Sequence, residues 1–181
     1  MSKALKSALL IGGLLVAAIV IVVGGLELVS SRLHDNPEAT LAFATSAKAL
    51  HDKLKPEVLD DMTVLADRIA EGASANASEV QTGIVRGSLA AGTYRETFSY
   101  IQPTSDTLDL YSSIQREASY IATCYARLNA AWSAFEDGNQ ALADSTLAEA
   151  RTTAEKAVSL RQQNSAALDK LIAKTQARLQ Q

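Results

Sequence analysis

The sequence predicts an all-α protein: an N-terminal single transmembrane helix followed by an antiparallel bundle of four to five helices. Three observations carry that prediction. The first is the uncharged run Ser7–Leu26, with Lys3 and Lys6 before it and Glu27 after it. At ~1.5 Å rise per residue a helix of that length reaches ~30 Å, the thickness of a bilayer's hydrocarbon core. The second is composition: Ala is about one residue in six, Pro occurs 3 times, and β-branched runs outside the apolar segment are short. That is a helical balance. The third is a stripe of apolar residues spaced three and four apart from Leu108 to Phe135.

The apolar run is longer than the ~7–15 residues of a signal-peptide core, and its one cleavage-like stretch, Val29-Ser30-Ser31, follows Glu27. An uncleaved anchor is therefore expected. The lysines before the run place the short tail in the cytoplasm and the remainder on the periplasmic or extracellular side. The organisation read from this is a cytoplasmic tail (1–6), an anchor (7–29), a linker (30–36) and an exported helical domain (37–181). Ala8 with Gly12, and Gly13 with Ala17, are small residues four apart, a spacing that lets a neighbouring membrane helix approach closely.

The remaining elements follow from breakers and periodicity. Asn36-Pro37-Glu38 reads as a helix start, with a cap, a proline at the first position and an early acid. That helix is expected to reach about Lys55 with Leu41, Ala44, Ala47 and Leu50 on its inner face. Pro56 opens a second, carrying Val58, Leu59, Met62, Leu65 and Ile69 and stopping at Gly72. Residues 73–78 read as a loop, and a third helix runs from about Glu79 to Ile101. The fourth begins near Thr104-Ser105-Asp106 and continues to Gly138 along the stripe Leu108, Tyr111, Ile114, Ala118, Ile121, Tyr125, Leu128, Trp132, Phe135. A fifth stretch from Gln140 to the C-terminus has its expected weak point at Gln162-Gln163-Asn164-Ser165.

Function classes are narrowed chiefly by what is missing. All 20 acidic residues lie at or after Glu27, against 15 of the 17 basic ones, with no basic cluster, which argues against nucleic acid as a partner. One cysteine, Cys124, allows no intrachain disulfide and reads as a buried structural thiol. Neither histidine, His34 or His51, follows a Glu at three residues, so the di-iron bundle pattern is absent, and His51 beside Asp52 reads as solvated. There is no Ser/His/Asp set, phosphate loop, haem pair or zinc spacing. The reading is of a non-enzyme with no catalytic, cofactor or metal residues. Asn76-Ala77-Ser78 is a formal glycosylation sequon.

Gly83, Gly87 and Ala91 lie four apart on the third helix and form a smooth face, suited to close packing within the bundle or to a partner helix. Eight of nine aromatics fall between Tyr94 and Phe135, marking the expected core of the third and fourth helices. The Asp137-Gly138-Asn139 turn, with Phe135 before it and Ala143, Leu147 and Ala150 after it, resembles one hairpin of the tetratricopeptide type over residues 122–157. Such folds need about three repeats, and no second copy follows, so an ordinary hairpin is the reading taken.

The expected role is an accessory or structural subunit of a larger membrane complex. Its partners would be membrane lipid and other membrane subunits or copies of itself. Two other roles are weighed. A filament or envelope subunit is suggested because the short basic head and long apolar helix resemble those of pilins. Ser7 after Lys6, and no acid early in the helix, depart from that pattern. A ligand-sensing ectodomain is the other, since four-helix bundles beside a span occur in chemoreceptors.

Overall fold

The computed structural model describes residues 36–54, 56–72 and 77–181, and among them every regular element is helical. They are α1 (Pro37–Lys53), α2 (Pro56–Ala70), α3 (Ala77–Ser99), a single 3₁₀ turn (Ser105–Thr107), α4 (Leu108–Glu136) and α5 (Gln140–Leu179). The predicted anchor, residues 7–29, with Ala8, Gly12, Gly13 and Ala17, lies outside the described residues, as does Asn76 of the sequon. Among the described residues no helix is long and apolar enough to cross a membrane.

Local chemistry sets most helix ends. The Asn36 side chain accepts a hydrogen bond from the Ala39 N–H at 3.1 Å, and Pro37 and Pro56 stand at helix starts, where a missing N–H costs nothing. Gly138, at φ 73°, takes the left-handed conformation that closes α4. Its N–H reaches the Phe135 carbonyl at 3.0 Å while the Asn139 N–H reaches Ala134 at 2.8 Å, the paired bonds of a Schellman turn. Asn139 then caps α5 by accepting from the Leu142 N–H at 3.2 Å.

The long antiparallel pair α4 and α5 forms the spine. Its interface is built from Ile114, Ile121, Leu128 and Trp132 on α4 against Leu147, Ala150, Ala157 and Leu168 on α5, all buried. Alanines on α5 let the helices approach closely, and the Cys124 Sγ–H reaches the Ala150 carbonyl at 3.4 Å. α2 packs Met62, Leu65 and Ile69 against this spine, and α3 adds Val80, Ile84, Tyr94 and Phe98. Phe98 stacks on Tyr111 at 5.1 Å and Trp132 on Phe135 at 5.6 Å, so the aromatic concentration does sit in the core.

Three expectations are corrected. The inner face of α1 is rotated from the predicted one: Thr40, Phe43, Ala44, Ala47 and His51 are buried, while Leu41 and Leu50 are only half-buried. Leu108 opens α4 but stands 51% exposed, so the apolar stripe begins effectively at Tyr111. The expected weak point at residues 162–165 does not exist, and α5 is one helix of 40 residues. Asn164 is buried there and bonded through its side chain, which removes its usual competition with the helix backbone.

Gly83 and Gly87 mark where α3 comes closest to its neighbours. A methyl group at Gly87 would sit 1.9 Å from Tyr125 Cε1, and one at Gly83 would sit 2.8 Å from Leu65 Cδ2. Gly92, on the same helix, has nothing within 4 Å of that position. Gly87→Ala is therefore expected to destabilise the bundle by about 1–3 kcal/mol through overpacking. Gly92→Ala is expected to stabilise it by up to about 1 kcal/mol through helix propensity. Thermal unfolding followed by circular dichroism reads both, and equal shifts for the two variants would refute the close approach at Gly87.

Candidate functional site

The most chemically loaded place in the bundle is a buried carboxylate. Glu117 lies on α4 between Ile114 and Ile121, and its side chain is 0% exposed. An isolated carboxylate in such a position would be very unfavourable, so its partners define the site. Asn164 Nδ2 on α5 donates to Oε2 at 2.7 Å, and Arg161 Nη1, one turn earlier, donates to Oε1 at 3.2 Å. His51 Nε2 on α1 lies 3.2 Å from Oε2, and because a carboxylate only accepts, the ring N–H is the donor. The Tyr94 hydroxyl on α3 stands 3.5 Å from Oε1. Burial pushes the Tyr94 hydroxyl well above the ordinary tyrosine range, and the Glu117 charge adds to the effect, so it stays protonated and donates.

A second tier completes the arrangement. Ser113 donates to Asn164 Oδ1 at 2.7 Å, which fixes the amide so that its NH₂ faces Glu117. Arg161 Nη2 donates to the His51 carbonyl at 2.6 Å and the Leu54 carbonyl at 3.0 Å. These carbonyls belong to the C-terminal end of α1, where backbone acceptors lack partners within the helix. One guanidinium thus joins the carboxylate of α4 to the end of α1.

Beside this cluster, between the C-terminal end of α1, the start of α2 and the middle of α3, is a groove of about 850 Å³. Leu50, Leu54, Val58, Ala90 and Tyr94 give it an apolar floor, with Lys53, Glu57 and the Arg86–Asp61 ion pair (2.6 Å) on its rim. Its size falls within the range of small-molecule clefts.

Sequence reasoning did not anticipate the cluster. His51, read as solvated, is 2% exposed because it follows Ala47 by four residues on the true inner face of α1. Glu117 follows Ile114 by three and precedes Ile121 by four, and Asn164 precedes Leu168 by four. Polar residues in register with an apolar stripe were the available signal. Gly83, Gly87 and Ala91 are gathered on one buried face of α3, the face that also carries Tyr94. Among the described residues no three His, Cys, Asp or Glu side chains are placed to hold a metal ion.

Cys124 is buried, and that burial pushes its thiol up to about 12. The arrangement around Glu117 defines a helical bundle fastened by an internal ionic and hydrogen-bonded cluster, with a groove at its edge. The chain matches no protein-family profile, and comparison with curated proteins and with solved structures finds no similar protein.

Two outcomes follow. Glu117→Leu leaves the Arg161 cation, only 15% exposed, without its counter-charge, and is expected to cost about 3–5 kcal/mol of stability in urea unfolding. A loss under 1 kcal/mol would mean the pair is not closed off from water. Cys124, with a thiolate fraction on the order of one in ten thousand at pH 8, is expected to resist thiol reagents until urea unfolds the chain. Because the raised value suppresses the thiolate throughout the neutral range, native labelling should stay slow from pH 7 to 9.

Proposed function

We propose that this chain is a non-enzymatic, membrane-tethered helical bundle that serves as an accessory or structural subunit of a larger membrane protein complex. The observation that carries the reading is the uncharged run Ser7–Leu26 with Lys3 and Lys6 before it, joined by a short linker to the bundle that starts at Pro37. That run meets the length requirement of a spanning helix, and its flanking charge places the bundle on the exported side. The Glu117 cluster supports a structural role, since its carboxylate and guanidinium are engaged with each other and with the protein's own backbone.

One observation favours a second reading. The groove beside Tyr94 supports a ligand-sensing ectodomain, with a small amphipathic molecule between α1 and α3.

Extraction from membranes in mild detergent, followed by mass measurement of the particle, separates these roles. Co-purification with different polypeptides at a fixed ratio is the expected result. Filaments pelleting from sheared cells would replace it with an envelope-filament role, and a lone monomer that binds a small molecule would replace it with the sensor. Gly13→Leu with Ala17→Leu keeps the run apolar but fills its close-contact face, and is expected to loosen assembly while leaving membrane insertion intact. Recovery of the chain in the soluble fraction without detergent would overturn the tether itself.

A further inference from the structure

α1 is attached to the bundle differently from the other helices. Over its 17 residues the fully buried positions are Thr40, Phe43, Ala44, Ala47 and His51, of which only Phe43 is a large apolar side chain. α2, at 15 residues, inserts Met62, Leu65 and Ile69, and α4 inserts Ile114, Ile121, Tyr125, Leu128 and Trp132. Hydrophobic stabilisation follows the apolar area removed from water, so α1 has a weaker hold of that kind for its length than α2 or α4.

Polar ties make up the remainder, and they converge on α5 and Glu117. Arg161 grips the His51 and Leu54 carbonyls at 2.6 and 3.0 Å, and the His51 ring meets Glu117 at 3.2 Å. Lys48 reaches the Ser165 hydroxyl at 3.3 Å and Asp169 at 3.5 Å. On its other side α1 borders the groove of about 850 Å³, so its C-terminal half lacks dense packing against α3. A helix held on one side by a few directional bonds, and bordering a groove on the other, has a defined release: the loss of Arg161 removes two of its five ties at once, both at its C-terminal end.

We propose that α1 is a releasable strap, a cooperative unit that undocks from α5 while α4 and α5 remain folded. Its release uncovers Glu117, Asn164 and the ring of Tyr111, which lies tilted at 56° to Phe43 with ring centroids 6.4 Å apart. α1 is the first helix of the bundle, and in the sequence it follows the apolar run after a short linker. Undocking itself depends only on the contacts named above and stands independently of the proposed membrane role.

Hydrogen exchange on the full chain in detergent micelles, resolved by peptide mass spectrometry, tests it. In the unaltered protein, amides of residues 43–50 are expected to exchange together and at least about 30-fold faster than those of residues 118–132, which places them in a separate opening unit. Arg161→Lys keeps the charge but cannot bond the carboxylate and two carbonyls in one fork, so it is expected to accelerate α1 a further ~10-fold. Residues 118–132 should be unchanged in that variant. Exchange of α1 at the rate of α4 in the unaltered protein would overturn the proposal, because the bundle would then open only as a whole. Equal acceleration of both segments by Arg161→Lys would overturn it in the same way, and if that variant does not fold, the unaltered protein alone decides.

Discussion

The burial of the Glu117 carboxylate is the constraint around which this bundle is organised. An ionised group with no access to water must be matched by charge and by hydrogen-bond donors, and here they come from three other helices: His51 from α1, Tyr94 from α3, and Arg161 and Asn164 from α5. Apolar packing alone tolerates small slips between helices, whereas these bonds do not. A shift of α5 by one residue would carry Asn164 and Arg161 around the helix and leave the carboxylate without its donors. The cluster therefore fixes the register of α1, α4 and α5 relative to one another more sharply than the many alanines of α5 could.

The division of labour between apolar and polar contacts explains the shape of the fold. α4 contributes more of the large buried apolar side chains than any other helix, and α4 and α5 form a continuous interface along the length of α4. α2 and α3 extend that core, with glycines at 83 and 87 allowing Leu65 and Tyr125 to lie against the α3 backbone. α1 packs a narrow apolar strip, Phe43, Ala44 and Ala47, into this core and adds directional bonds to α5 through Lys48 and the carbonyls held by Arg161. Trp132 illustrates the cost that a packed core can tolerate: its ring stacks on Phe135 while its Nε1–H has no protein partner among the described residues.

Much of the architecture was legible in the sequence because it depends on local chemistry. Asn36-Pro37, Pro56, Gly72 and Asp137-Gly138-Asn139 specify starts and stops through bonds made within a few residues, and the observed helices α1 to α5 follow those signals closely. Cys124, placed at the edge of the apolar stripe by its spacing, is buried. The inner face of α1 was half legible: Ala44 and Ala47 are buried as expected, but on paper Leu41 and Leu50 flank them as well as Thr40, Phe43 and His51 do. The observed face buries Phe43 in the core and sets His51 against Glu117, contacts made with other helices.

The sequence by itself determined the helical class, most of the helix starts and stops, and the long apolar segment that precedes them, because each rests on composition, periodicity or capping within one stretch of chain. Only the tertiary structure decided that His51, Glu117, Arg161 and Asn164 meet. They lie up to 113 residues apart, on three helices, and each taken singly reads as an ordinary surface residue or a helix flaw. Their significance is a property of proximity in a medium from which water is excluded. Pattern along the chain records which side a residue faces, and only the packed bundle records what it faces.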